Sequence, residues 1–234
     1  MVNSIYSVVI TGCSRGIGLE LATQYAEAGW RVISTARDLD ASPELRQLAE
    51  NHPQLSLHTV DVSSDDSIAE FVGDLGAQAV DLLINNAGVY GAGGSDLGHL
   101  SREVWREVLE VNTLSPLMLT QAILPNLEAG QLKTVGMMSS KVGSIADNSS
   151  GGSYYYRSSK TALNQVVKSL SIDLAPQGIK VVALHPGWVL TEMGGPNALI
   201  DTKQSARGLR ELLAGINAEK SGGFYSYDGM GIPW

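Results

Sequence analysis

Short apolar runs recur along the chain, each separated from the next by enough residues for one helix. Tyr6 to Ile10, Arg31 to Thr35, Leu55 to Val60, Val80 to Ile84, Lys133 to Met138 and Lys180 to Leu184 are largely apolar and rich in β-branched residues. That is the pattern of strands covered on both faces. Between them, Gly18 to Ala28, Ser64 to Gly76, Arg102 to Glu128 and Tyr156 to Leu174 carry apolar residues at helical spacing. Such alternation predicts right-handed βαβ units, hence an α/β fold with a doubly wound parallel sheet and helices on both faces. No repeat, low-complexity tract or linker divides residues 1–234, which read as a single domain. In such sheets ligands bind beyond the carboxyl ends of the strands.

Composition narrows the partners. A chain of 234 residues, 44% of them hydrophobic, suits one domain with a substantial core. A net charge of −8 without a Lys/Arg-rich run argues against nucleic acid or an anionic membrane as the main partner. Cys13 is the only cysteine, which excludes an intramolecular disulfide and fits a reducing cytoplasm. It is expected to be a small buried or loop residue. The start, M-V-N-S-I-Y-S-V-V-I-T-G, lacks a signal-peptide pattern, and no apolar run approaches the roughly 20 residues that span a bilayer. A soluble cytoplasmic protein is expected. His52, His58 and His99 have no ligand spacing and His185 reads as a packed strand-end residue, so no metal is expected.

Directly after the first strand comes T-G-C-S-R-G-I-G, residues 11 to 18. Gly12 permits a tight turn, Gly16 lets backbone approach a diphosphate, and Gly18 lets the following helix pack closely, while the helix N-terminus favours an anion. Its spacing, T-G-x-x-x-G-x-G, resembles the short-chain dehydrogenase/reductase family. N-N-A-G at 85 to 88, Y-R-S-S-K at 156 to 160 and P-G-W-V-L-T at 186 to 191 match that family's other motifs in order. The resemblance covers essentially the whole chain. It implies a Rossmann fold and a nicotinamide cofactor held by Gly12, Ser14, Arg15, Gly16, Ile17 and Gly18. It further implies that Asp61 and Val62 flank the adenine and that Asn86, Ala87 and Gly88 line the channel. Pro186, Gly187, Val189 and Thr191 fall at the nicotinamide end, Val189 and Thr191 on the carboxamide.

The second strand ends T-A-R-D, where NAD-dependent enzymes of this fold place an acid for the ribose hydroxyls. Counted from the glycine turn, that position falls on Ala36, and Arg37 follows. With Arg15 nearby, two guanidinium groups suit a 2′-phosphate, so NADP(H) is favoured over NAD(H). Asp38 keeps the NAD alternative open; under the favoured reading it is a solvated loop acid or a partner of Arg37.

Three tyrosines precede Lys160. A phenol with a pKa near 10 is a poor acid-base group at neutral pH unless a positive charge lowers it. Only Tyr156 lies four residues before the lysine, on the same helix face; Tyr154 and Tyr155 are expected to pack or to rim the pocket. The resemblance implies that Tyr156 exchanges the proton with the carbonyl oxygen. It also implies that Lys160 binds the nicotinamide ribose and lowers the tyrosine pKa together with the oxidised ring.

By the same resemblance Ser140, in S-x-x-G ending at Gly143, orients the substrate, and Ser139 is a strand-end residue. Ser140 and Tyr156 stand sixteen apart, more than the family pattern usually has, so A-D-N-S-S-G-G-S is expected to loop out beside the substrate. Lys141 is expected to face solvent, with substrate contact as the alternative. Asn112 precedes Pro116, which has no N–H to return to the carbonyl of residue 112. The family role implied for this asparagine is a main-chain water in a proton relay; the alternative is a structural asparagine at a kink.

The segment T-E-M-G-G-P-N-A and the ending F-Y-S-Y-D-G-M-G-I-P-W are similar to the branch of bacterial C-factor proteins and sniffer carbonyl reductases. That implies NADPH-dependent reduction of a small or medium apolar ketone or aldehyde, with Trp188, Met193 and Tyr90 as wall or core residues. Two further readings are a cofactor-binding signalling protein and an NAD-dependent alcohol dehydrogenase. Relatives pair through the helices holding Asn112 and Tyr156, which implies a homodimer or homotetramer.

Overall fold

The structure is a computed structural model and describes residues 5–92 and 95–234. Seven strands, β1 (Ser7–Ile10), β2 (Arg31–Ala36), β3 (Leu55–Thr59), β4 (Leu82–Asn85), β5 (Thr134–Met138), β6 (Lys180–His185) and β7 (Phe224–Ser226), form one sheet in the order β3-β2-β1-β4-β5-β6-β7. Every neighbouring pair is parallel. The order reverses direction at β1, so the sheet is doubly wound, as expected.

Alternate strand residues serve opposite cores. Val8, Ile10, Leu82 and Ile84 pack under α1 (Gly16–Glu27) and α8 (Thr202–Ala214), against Leu21, Ala22, Leu209 and Leu213. Val9, Leu83 and Val135 face the other layer, with Phe71 of α3 (Asp65–Leu75), Leu119 of α5 (Ser115–Ala122) and Leu163 and Val167 of α7 (Tyr154–Asp173). Neither face is left to water, which is why the strands read as continuous apolar runs.

β4 starts two residues later than its apolar run suggests. Val80 donates its N–H to Asn126 O at 2.9 Å. Asp81 uses its carboxylate to accept the N–H groups of Ser7 at 2.8 Å and Gln131 at 2.7 Å. The Asp81 backbone still bonds the first residues of β1 and β5, donating to Ser7 O at 3.2 Å and accepting Thr134 N–H at 3.1 Å, while its carboxylate ties in the loop at Gln131.

The stretch expected as one helix from Arg102 to Glu128 is broken twice. α4 (Arg102–Leu109) widens into a single π turn, Glu110–Leu114, before α5, and α6 (Leu124–Ala129) follows a second break. The causes are Pro116 and Pro125, each of which removes a helical donor. At the π turn Ser115 N–H reaches back five residues to Glu110 O, and the Ser115 hydroxyl joins it at 2.9 Å. α2 (Pro43–Asn51), α8 and the three-residue β7 lie outside the segments named from sequence. Among the described residues no helix is long and apolar enough to cross a membrane.

α7 begins at Tyr154, two residues before the start expected, immediately after Ser153 in a left-handed conformation at φ 46°. Tyr155 is buried in the core, as expected of a packing residue, and Tyr154 is exposed.

Candidate active site

The carboxyl ends of the strands open into a cleft of about 660 Å³. On its floor is the glycine-rich turn. Gly12 and Gly16 have φ of +70° and +61°, and a Cβ on Gly18 would stand 2.2 Å from Gly12 O and 2.5 Å from Asn86 Nδ2. α1 therefore starts closer to β1 than any side chain allows. Its first turn carries no acid and the side chain of its N-cap, Arg15, does not cap it, so the first N–H groups remain for an anion.

Thr11 holds this turn to the next one. Its hydroxyl accepts the N–H groups of Asn86 at 2.9 Å and Ala87 at 3.0 Å, and the Asn86 amide donates to Thr11 O at 2.9 Å and Gly12 O at 3.2 Å. Asn86 and Ala87 thus brace the sheet edge while lining the cleft. The role of Thr11 went unassigned in sequence; its only signal was its place at the head of the glycine motif.

Arg15, Arg37, Asp61 and Val62 line the end of the cleft away from Tyr156. Asp61 accepts Ser63 N–H at 3.0 Å and its hydroxyl at 2.6 Å, and these bonds, with Arg37 adding a smaller pull, hold its carboxyl below the usual range. Asp38 is a loop acid: Oδ1 accepts Ala41 N–H at 3.0 Å, and the residue does not line the cleft. Arg15 forms an exposed ion pair with Glu192 at 2.6 Å, a contact sequence did not suggest. The two residues stand in segments 177 positions apart, and nothing in either segment's pattern signals the other.

At the other end Tyr156 and Lys160 share one face of α7 and both line the cleft. The ammonium nitrogen of Lys160 lies 5.5 Å from the centre of the Tyr156 ring and donates to Met138 O at 2.8 Å. The Ser140 hydroxyl hydrogen-bonds the Tyr156 phenol, and Tyr90 stacks on its ring with centroids 4.8 Å apart. Burial pushes the phenol up to about 12, against the pull of Ser140. The lowering expected from Lys160 is therefore not the dominant influence here, because burial also presses the lysine down to about 7 and weakens its charge.

Asn112 is fully buried in the π turn and outside the cleft lining. Its Oδ1 accepts Val89 N–H at 2.8 Å, while Nδ2 donates to Val89 O at 2.8 Å and to Ser159 Oγ at 3.0 Å. Gly88 sits where a Cβ would come within 3.2 Å of Asn112 Oδ1 and 3.5 Å of Lys160 Nζ. The asparagine side chain thus ties the segment after β4 to α7 beside the lysine.

Ser139 behaves as a strand-end residue, donating to Asn164 Oδ1 at 2.6 Å. Lys141 is exposed and pairs with Asp147 at 3.2 Å. The expected loop runs from Ser144 to Ser153 and touches the site's rim, where Ser153 Oγ and Tyr90 OH lie 2.8 Å apart. Pro186 and Thr191 line the cleft, whereas Gly187 and Val189 do not. A Cβ on Gly187 would meet Ile200 Cδ1 at 2.6 Å, and Val189 is buried and bridged to Ile200, so both shape the loop from behind. Cys13 is buried and its thiol is pushed up to about 12, which leaves it unreactive. Trp188 and Met193 are about half exposed, and Met193 lines the cleft.

A dinucleotide-type cleft with a phenol and a buried amine at one end defines an oxidoreductase of the Rossmann type. The chain belongs to the short chain dehydrogenase family, whose model matches residues 6–199. It is similar to the C-signal protein of Myxococcus xanthus, 46% identical over 155 residues, 66% of this chain and 93% of that protein. Among solved structures, the carbonyl reductase Sniffer of D. melanogaster superposes with a TM-score of 0.91 at 34% identity, covering 99% of this chain and all of that one. An NADPH-bound carbonyl reductase from chicken fatty liver gives 0.92 at 32% identity, covering 98% of this chain and 99% of that one.

Proposed function

We propose that the protein is an NADP(H)-dependent carbonyl reductase that converts a ketone or aldehyde to the alcohol, with Tyr156 as its acid. The observation carrying this reading is the cleft itself. It has an acid-free glycine turn and two guanidinium groups at one end, and Tyr156 beside Lys160 at the other.

The residues fit the dinucleotide. Positive φ at Gly12 and Gly16 exposes backbone N–H groups for a diphosphate, and Arg15 and Arg37 suit a 2′-phosphate better than Asp38, which is used by its own loop. NADPH, when bound, supplies the hydride. The chain supplies the proton and the orientation. Ser140 holds the carbonyl oxygen near the phenol, and the Tyr156 hydroxyl gives its proton to that oxygen as negative charge develops there. Burial keeps the phenol neutral and protonated at neutral pH, the form that can donate a proton. Lys160, held by Met138 O and 5.5 Å from the centre of the Tyr156 ring, is the residue we assign to grip the nicotinamide ribose. Asn112 fixes the wall on which both stand.

The test is a panel of aromatic and aliphatic aldehydes and ketones incubated with NADPH and with NADH. Consumption of NADPH dependent on carbonyl supports the reading, and a panel with no turnover, or with NADH preferred, contradicts it. A pure signalling role predicts coenzyme binding with no turnover, the second outcome of the same assay.

A further inference from the structure

The peptide that leaves Ser140 is clamped at both poles. Its carbonyl oxygen accepts Gly143 N–H at 2.8 Å. Its N–H, which belongs to Lys141, donates to Nδ1 of His185 at 3.1 Å. Rotation of this peptide plane against the Ser140 side chain is the ψ torsion of Ser140, here 146°. Fixing the plane therefore fixes the direction of the Ser140 Cα–Cβ bond, the base from which its hydroxyl reaches Tyr156.

His185 is built to hold that position. It is the last residue of β6, paired in register with Ser226 of β7, and its own carbonyl accepts Tyr227 N–H at 2.8 Å. It does not line the cleft, so it touches neither substrate nor coenzyme there. Because the Lys141 group facing it is a donor, Nδ1 must be the bare nitrogen and the ring proton must reside on Nε2.

We propose that His185 is a positioning residue for Ser140, its unprotonated Nδ1 holding the Ser140–Lys141 peptide so that the serine hydroxyl stays against Tyr156. This rests on the reading of Ser140 as the group that orients the substrate oxygen. The surroundings keep the nitrogen bare. Burial, then the neighbouring Lys141 charge, press the imidazole down to about 4, and Asp228 pulls the other way without prevailing. The acceptor is thus intact throughout the neutral range.

The experiment is a double-mutant cycle on the best-reduced member of the carbonyl panel, using His185→Leu, His185→Asn, Ser140→Ala and the Ser140→Ala/His185→Leu double variant. The leucine has no acceptor; the asparagine offers Oδ1 in its place. His185→Leu is expected to lower kcat/KM for the carbonyl about tenfold, the scale of one hydrogen bond, without altering the NADPH dissociation constant. His185→Asn should recover most of that loss, and His185→Leu should cost nothing further once Ser140 is alanine. Equal kcat/KM in His185→Leu and wild type, or the same loss with and without Ser140, overturns the proposal. Full activity in Ser140→Ala instead locates the failure in the reading of the serine, and the proposal falls with it. If the leucine variant does not fold, hydrogen exchange at the Lys141 amide of the wild-type protein decides. A protected amide is expected, and exchange at the rate of an open peptide overturns the bond.

Discussion

The side-chain amide of Asn112 closes on both poles of Val89: Oδ1 takes its N–H at 2.8 Å and Nδ2 gives a hydrogen bond to its carbonyl at 2.8 Å. A residue inside a helix thereby acts as a strand neighbour to the segment following β4. The π turn makes this possible, since widening the helix at Glu110–Leu114 accompanies a buried asparagine aimed at that segment. Replacing Asn112 by alanine leaves both the N–H and the carbonyl of Val89 without these partners. A loss of about 2–4 kcal/mol is expected, read as a lower urea midpoint with an unchanged slope.

Gly18 is a second position where geometry forbids change. A Cβ there would lie 2.2 Å from Gly12 O, a distance no small rearrangement relieves, because that oxygen is backbone of the turn. Gly18→Ala should destabilise the fold by about 1–3 kcal/mol and weaken dinucleotide binding, whereas Gly29→Ala, with nothing within 4 Å, should leave binding intact. Gly29 still has φ of +78°, so a modest stability cost alone is expected there. Fluorescence titration with NADPH and thermal melting separate the two.

Lys160 gives a pH prediction with a defined sign. In the unfolded chain its amine holds a proton up to its ordinary value of 10.5, while in the folded protein burial presses it down to about 7. Between those limits the unfolded state binds more protons, so this lysine's cost to stability grows as pH falls from 10.5 toward 7 and is absent above it. The melting temperature of Lys160→Met, relative to wild type, should therefore be more favourable at pH 7 than at pH 10. A pH-independent difference would mean that the buried amine keeps its ordinary ionisation.

Coenzyme choice follows from the basic end of the cleft. Arg37→Ala should raise the dissociation constant for NADPH by about tenfold or more and change that for NADH little, as loss of a charge-assisted phosphate contact would. Arg15→Ala should act in the same direction but less, since Glu192 already engages that guanidinium at 2.6 Å. Equal losses for both coenzymes would instead support the alcohol dehydrogenase reading with NAD.

The sequence made the parallel sheet legible because both of its faces are buried, which leaves uninterrupted apolar runs such as Val8 to Ile10. It also singled out Tyr156, since one turn of helix leaves a single tyrosine above Lys160. The break in the Arg102–Glu128 stretch was half visible: Pro116 announces a lost donor, but not that the helix would respond by a π turn. The side-chain role of Asn112 was hidden because its partner, Val89, lies on a segment that only the folded chain brings near. The Arg15–Glu192 pair and the His185 contact were hidden for the same reason. β7 is three residues long and follows two glycines, too short to show a period. The phenol's raised pKa likewise depends on burial by Tyr90 and its surroundings, which no local spacing encodes.

The most direct test of the central claim compares Tyr156→Phe with wild type in NADPH oxidation driven by the best carbonyl of the panel, alongside NADPH binding by fluorescence. The account predicts that kcat falls by about 10²–10⁴-fold while the NADPH dissociation constant stays within a few-fold of wild type. Unchanged turnover in Tyr156→Phe would contradict it, because the phenol would then not be the proton donor.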